Sequence, residues 1–114
     1  MYQYQEQQRV ATEQNDQGVD KMFLTHLAEF AGKNPKLRTF ARVSLKPGEE
    51  VPFHIHEGEC EYYYILSGVG VYDDNGEDVA AKPGLVTFTP NGTGHGIRNT
   101  GSEMLDFIAL IVLD

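Results

Sequence analysis

Three of the four histidines in the sequence fall in two short clusters beside predicted turns. His54 and His56 are two residues apart, and His95 follows a glycine-containing stretch at residues 90–94. Alternate residues of a strand point to the same face, about 6.6 Å apart, so such a pair can bind one ion at Zn–N or Fe–N distances of about 2.0 to 2.1 Å. The HxH pair therefore has the geometry of a chelating strand edge.

A carboxylate is the fourth candidate ligand. Glu61 lies five residues after His56, an odd offset that would place it on the opposite face of a continuous strand. The segment 57–60 contains Gly58 and can bend the chain, which would return Glu61 to the histidine face. These residues predict a site of three imidazoles and one carboxylate. The HxH pair alone leaves a second interpretation open, since two histidines at this spacing are more often surface or hydrogen-bonded residues than metal ligands.

The elements that must position these residues are short strands separated by turns. Strand-like segments at 37–45, 61–66, 69–72, 85–89 and 104–112 are bounded by turn residues such as Lys-Pro-Gly, Ser-Gly and Pro-Asn-Gly. Asn75-Gly76 predicts a tight hairpin. Because the strands are short and regularly spaced, we predict an all-β sandwich or barrel.

Two segments near the N-terminus leave alternatives open. Residues 1–18 are rich in Gln and have little apolar content beyond Tyr2, Tyr4 and Val10, so we predict an N-terminal arm that is either flexible or exchanged as a strand against a sheet edge. Residues 19–114 form the predicted barrel domain. Within it, the segment 22–30 suits a helical stripe or a strand.

The histidines also belong to two longer patterns. The pattern G(X)5HXH(X)3-4E(X)6G is met by Gly48, His54, His56, Glu61 and Gly68. The pattern G(X)5PXG(X)2H(X)3N is met by Gly84, Pro90, Gly92, His95 and Asn99. In these ten positions and their spacing, over residues 48–99, the sequence resembles the cupins. It departs from many cupins at Leu85, where an Asp is frequent.

The resemblance implies a double-stranded β-helix, a small jelly-roll barrel with a divalent metal inside. The ligands it implies are His54, His56, Glu61 and His95, with one transition metal ion per chain among Mn, Fe, Ni, Co, Cu and Zn. Four protein ligands leave two adjacent positions on an ion that prefers six. The expected ligand is therefore an oxygen-rich small molecule that binds through two oxygens, such as oxalate or a 2-hydroxy acid.

Two classes of function fit this site. One is a small metal-dependent enzyme acting on an organic acid or sugar-like molecule, of decarboxylase, dioxygenase or isomerase type. The other is a non-catalytic metal or small-ligand binding or sensor protein, because no general acid or base can be placed outside the ligand set. Tyr63 faces inward by strand parity and is the candidate pocket residue, with a core tyrosine as the alternative. Glu57 and Glu59 lie in a turn and are expected to be solvated.

Charge and composition exclude several classes of partner. Nine Lys and Arg against seventeen Asp and Glu give a net charge of −8, the wrong sign for nucleic acid. No signal peptide is recognised, the most apolar run is half the length of a membrane helix, and the single Cys60 fits a reducing compartment, so a soluble cytoplasmic protein is expected. Outward-facing Tyr62, Tyr64 and Leu66 predict a homodimer.

Overall fold

The chain forms a β-barrel with almost no helix. The computed structural model describes residues 1–14 and 20–114, and within them lie ten strands and two 3-10 turns, Gln5–Gln7 and Glu29–Lys33. The strands are β1 (Arg9–Gln14), β2 (Asp20–His26), β3 (Leu37–Leu45), β4 (Glu50–Ile55), β5 (Glu59–Ser67), β6 (Gly70–Asp74), β7 (Glu77–Ala81), β8 (Val86–Thr89), β9 (Gly94–Asn99) and β10 (Leu105–Leu113). The predicted all-β class is confirmed. Among the described residues, no helix has the length and apolar character needed to cross a bilayer.

The strands are arranged in two antiparallel sheets. The larger sheet has the order β1-β2-β3-β10-β5-β8, and the smaller has the order β4-β9-β6-β7. From β3 to β10 the chain changes sheet at every connection except the β6–β7 hairpin. This alternation winds the two sheets into the predicted double-stranded β-helix, with an interior that residues of both sheets share.

The core lies between the sheets and follows strand periodicity. Alternate residues of β3 and β10 are buried, including Val43, Leu45, Leu105 and Phe107. Tyr72, Ala81 and Ile97 of the smaller sheet join the same cluster. Burying a side chain as large as Phe107 stabilises the fold by about 2 to 3 kcal/mol.

Several local predictions can be compared directly. Strand β3 has the predicted bounds, and Asn75 and Gly76 have φ values of 51° and 101°, the positive pair that a type I′ hairpin turn requires. The ambiguous segment 22–30 continues strand β2 to His26 and then enters a 3-10 turn.

The N-terminal arm contributes a strand to the larger sheet. Strand β1 pairs with β2, whereas Tyr2 and Tyr4 lie before it and are exposed. The predicted boundary at residue 18 falls within 15–19, outside the described residues. Strand exchange by this arm stays a prediction.

The contact between β4 and β9 positions the two histidine clusters. Their antiparallel register makes His54 and His95 direct Cα partners. A Cβ atom at Gly94 would overlap the Phe53 ring and lie 2.8 Å from the His54 carbonyl oxygen, and one at Gly96 would lie 2.9 Å from the Phe53 nitrogen. The two glycines that flank His95 therefore allow β9 to approach β4 closely.

Candidate metal centre

Four side chains from three strands and one turn converge inside the barrel. His54 lies on β4 and His56 directly follows the last residue of that strand. His95 lies on β9, and Glu61 lies on β5 in the facing sheet. One ligand atom from each lies within 4.8 Å of the other three. The structure thus brings together the four residues that the sequence singled out.

The shortest separations join the Nε2 atoms and one carboxylate oxygen. His56 Nε2 lies 3.0 Å from His54 Nε2, 3.1 Å from His95 Nε2 and 2.9 Å from Glu61 Oε1. Glu61 Oε1 is also 2.8 Å from His95 Nε2. Two atoms that each lie about 2.1 Å from a shared ion, at right angles to one another, are about 3.0 Å apart. The observed separations match adjacent ligands of one ion.

Hydrogen-bond acceptors lie at the opposite ring nitrogens. His54 Nδ1 is 2.8 Å from the Pro52 carbonyl oxygen, and His56 Nδ1 is 2.6 Å from Glu59 Oε2. Carbonyl and carboxylate oxygens only accept hydrogen bonds, so each ring can donate from Nδ1. A neutral ring that donates there presents an Nε2 lone pair to the cluster, where Nε2 of His54 and Nε2 of His56 are 3.0 Å apart. A His56 ring protonated at both nitrogens would instead donate from Nε2 to Glu61 Oε1, 2.9 Å away.

His95 is anchored by two hydroxyls in the core. Its Nδ1 lies 2.9 Å from the Tyr72 hydroxyl and 2.9 Å from Thr89 Oγ1, and these hydroxyls are 3.0 Å apart. Burial raises the pKa of the Tyr72 hydroxyl. The imidazole is fully buried, so its ring orientation is fixed by packing as well as by these hydrogen bonds.

The donor set fits a transition metal ion. Imidazole nitrogens suit Zn, Cu, Fe and Ni, and a carboxylate extends the range toward Mn. Each ring has its second nitrogen held by a hydrogen-bond acceptor or hydroxyl, as metal-binding histidines usually do. A cation at the centre would accept the lone pairs of neutral rings and balance the charge of the Glu61 carboxylate.

The predicted bend between His56 and Glu61 is present, but it carries the chain from one sheet to the other and does not return it to the same face. Gly58 has a φ of 77°, and the chain leaves the smaller sheet there to begin β5 in the larger sheet. Glu61 therefore approaches the imidazoles from the facing sheet. The odd offset that seemed unfavourable on one strand is explained by this change of sheet.

Three of the four cluster residues, His54, His56 and Glu61, form part of the wall of a cavity of about 530 Å³. Apolar side chains line much of the rest, including Met22, Val43, Val51 and Ile111. This volume lies within the range of about 300 to 1,000 Å³ that is typical of small-molecule sites. Arg38 and Glu57 are the exposed charged residues of the lining.

Tyr63 is both a core residue and a wall residue of this cavity. Its side chain is 3% exposed, and its ring centroid lies 4.7 Å from that of His95 and 4.5 Å from that of Phe107. Burial, with the negative charge of Glu61, raises the pKa of the Tyr63 hydroxyl well above its usual value. The hydroxyl therefore keeps its proton at neutral pH.

Three residues that hold the histidines were not found by sequence reasoning. The alternation of polar and apolar residues can predict that Tyr72 and Thr89 face inward. Their proximity to His95, however, depends on how the strands pair. Glu59 was expected to be solvated and is not, since its side chain is 12% exposed and contacts His56 and Arg38. Its position three residues after His56 is the signal that could have found it.

Comparisons with known proteins agree with the fold. The family model for the cupin domain matches residues 41–111, which include all four cluster residues. An oxalate-binding protein of Thermotoga maritima is 48% identical over 96 residues, or 84% of this chain and 79% of that protein.

Two solved structures are similar over most of the chain. A predicted oxalate decarboxylase from Thermotoga maritima has a TM-score of 0.88 and 42% identity, with 100% of both chains covered. KdgF from Halomonas sp. has a TM-score of 0.69 and 21% identity, with 82% of this chain and 80% of that chain covered, and shows the fold alone. Because the cupin domain model matches more than half of the chain, the chain belongs to the cupin family.

Proposed function

We propose that this cupin holds one divalent transition metal ion through His54, His56, Glu61 and His95, and that the ion binds a small dicarboxylate of oxalate type. The observation that carries the proposal is the convergence of three imidazole nitrogens and one carboxylate oxygen, which all lie within 4.8 Å of one another. The names of the two Thermotoga relatives, one oxalate-binding and one a predicted oxalate decarboxylase, support the class of ligand.

The residues around the cluster favour a ligand held mainly at the metal. The chain has a net charge of −8, and three glutamates line the cavity against the single basic residue Arg38 among its described lining. These charges repel a free dianion over long range. A bound divalent ion supplies the positive charge and the Lewis acidity that an oxalate-type ligand needs.

We expect the purified protein to contain about one transition metal ion per chain. His54→Ala or His95→Ala should lower metal affinity by more than about tenfold, since the loss of even an outer-shell partner costs 10- to 100-fold. Elemental analysis and chelator competition measure this. His26→Ala is the matched control, because His26 is the fourth histidine and lies on β2 outside the cluster. Full occupancy in the double variant of His54 and His95 would contradict the proposal.

Oxalate should bind the metal-loaded protein and not the metal-stripped protein. Titration calorimetry of both forms measures the difference, and acetate serves as a control because it lacks the second carboxylate. The net charge of the chain predicts no measurable binding once the metal is removed. Equal affinity in the two forms would show that the ligand does not bind at the metal.

A second candidate function, decarboxylation of the bound acid, is favoured by the place of Tyr63. Its ring forms part of the cavity wall next to His95, and its hydroxyl, which stays protonated at neutral pH, would donate to the strongly basic carbon that loss of CO₂ leaves. In this reaction the C–C bond of hydrogen oxalate breaks, CO₂ leaves, and the remaining carbon takes a proton to give formate. The net reaction consumes no oxidant or reductant, and the proton lost by Tyr63 is returned from the acid or from solvent.

If this reaction occurs, Tyr63→Phe should retain oxalate binding and lower formate production by about 100-fold or more, the usual contribution of a general acid. Tyr62→Phe is the control, because Tyr62 is the neighbour on β5 that faces outward. Formate release is followed with Mn- and Fe-loaded protein. If the unsubstituted protein releases no formate, the proposed decarboxylase activity is wrong and only the binding function stands.

We also propose that two copies associate through the outer face of the larger sheet. Exposed apolar side chains form adjacent rows there, because β10 and β5 lie between β3 and β8. Their exposed fractions range from 36% to 63%, and the members are Phe40, Tyr62, Tyr64, Leu66, Val86 and Phe88. The Tyr62 and Phe88 rings already contact each other, with centroids 4.8 Å apart. Arg42 lies in the same row as Tyr64, and its charge is paired with Asp106 at 3.2 Å. A second copy would cover the apolar side chains around this ion pair.

Sedimentation at micromolar concentration should give a particle of twice the 12.7 kDa chain mass. Tyr64→Lys should weaken association by about tenfold or more, because it would place an unpaired charge within the contact. Val69→Lys is the control, since Val69 is 51% exposed, close to the 48% of Tyr64, and lies in the turn after β5. A monomer in the unsubstituted protein would refute the proposed contact.

A further inference from the structure

We infer that Glu59, held in place by Arg38, is a positioning residue that sets the ring orientation of His56. The inference rests on the proposed metal site and extends it to two residues that lie outside the ligand set. Glu59 Oε2 is 2.6 Å from His56 Nδ1, and Arg38 approaches both carboxylate oxygens, with Nε 3.0 Å from Oε1 and a terminal nitrogen 3.0 Å from Oε2.

His56 is the ligand for which ring orientation matters most. Its Nε2 atom contacts the ligand atoms of all three other cluster residues, at 2.9 to 3.1 Å. A rotation of this ring would therefore disturb every one of those separations. The other two imidazoles each have fewer close partners within the cluster.

His56 is also the histidine with the least support from the regular structure around it. His54 is anchored by the backbone carbonyl of Pro52 on its own strand, and His95 by two hydroxyls in the buried core. His56 lies after the end of β4, where hydrogen bonds with residues 92 and 93 hold its backbone but do not involve its ring. The Glu59 carboxylate is the hydrogen-bond acceptor at the outer nitrogen of this ring.

Arg38 completes the arrangement by fixing the acceptor. Two contacts from a planar guanidinium, one to each carboxylate oxygen, restrict the carboxylate more than one contact would. Arg38 is 54% exposed at its side chain, so solvent screens the pair and its loss should matter less than the loss of Glu59. The Arg38–Glu59 pair thus connects strand β3 to the imidazole at the centre of the cluster.

The experiment compares metal affinity in Glu59→Ala, Glu59→Gln and Glu57→Gln. Glu59→Ala should weaken binding of Co²⁺ by about 10- to 100-fold, as removal of a hydrogen-bond partner of a metal-binding histidine usually does. Glu59→Gln should recover part of this loss, because its amide oxygen still accepts the Nδ1 proton. Glu57→Gln is the matched control, since Glu57 lines the same cavity and carries the same charge but makes none of these hydrogen bonds within the described chain.

A second measurement separates the effect of the His56 ring orientation from the effect of the charge of the cavity. The visible spectrum of the Co²⁺ protein reports ligand geometry, so it should change in Glu59→Ala, change less in Arg38→Gln and stay unaltered in Glu57→Gln. Thermal melting of the metal-stripped variants should match that of the unsubstituted protein, which excludes misfolding as the cause of a weaker site.

The possible failures are distinguishable. If the unsubstituted protein binds Co²⁺ and Glu59→Ala binds it equally well with an unchanged spectrum, the positioning role is wrong and the metal site stands. If Glu59→Ala and Glu57→Gln weaken binding equally, only the charge of the cavity matters, and the positioning role is again wrong. If the unsubstituted protein binds no Co²⁺, the proposed metal site fails, and this inference fails with it.

Discussion

The structure of the site depends on one electrostatic constraint. Nε2 of His56 lies 3.0 Å from Nε2 of His54 and 2.9 Å from a carboxylate oxygen of Glu61, so groups with lone pairs are brought together inside the barrel. Facing lone pairs repel each other unless a cation or a proton lies between them. The Pro52 carbonyl and the Glu59 carboxylate accept hydrogen bonds on the far side of the rings and so favour protons at Nδ1. Burial strengthens the repulsion, because the medium around His56 and His95 screens charge less than water does. A cation held by the four residues would satisfy the groups that face the centre of the cluster.

The barrel maintains this unfavourable grouping by building it from rigid parts of both sheets. The register of β4 and β9 places His54 opposite His95, and the change of sheet at Gly58 brings Glu61 from the other side. Asn99 secures the far end of β9, since its buried amide donates to the carbonyls of Leu45 and Glu103 and accepts from the amide of Gly101. A site distributed in this way cannot relax by the movement of one loop.

Much of the fold could be predicted from local sequence, because strands that are half buried alternate in polarity. β3 was found with its full bounds and the Asn75-Gly76 turn with its type of backbone. β4 and β9 were harder to recognise, since Pro52 interrupts the first and glycines occupy alternate positions of the second. Both irregularities affect the site. The register of the β4–β9 pairing shifts between Val51 and His54, and the glycines of β9 allow β4 to approach closely.

The composition of the site was predictable from spacing and resemblance, but its supports were not. Tyr72 and Thr89 reach His95 through pairing between distant segments, which no local pattern encodes. Glu59 is predicted to be solvated because it follows an acidic turn, whereas it is the first residue of β5 and contacts His56 and Arg38. The three-residue spacing between His56 and Glu59 could have identified Glu59, whereas only the folded arrangement identifies Tyr72 and Thr89.

The most direct test of the central claim is an anomalous difference map from crystals of the metal-loaded protein, collected at the absorption edge of the bound metal. The account predicts one peak per chain, about 2.0 to 2.2 Å from Nε2 of His54, His56 and His95 and from a carboxylate oxygen of Glu61. A peak bound through Nδ1, a peak elsewhere on the chain, or no peak in protein loaded with excess metal would contradict it.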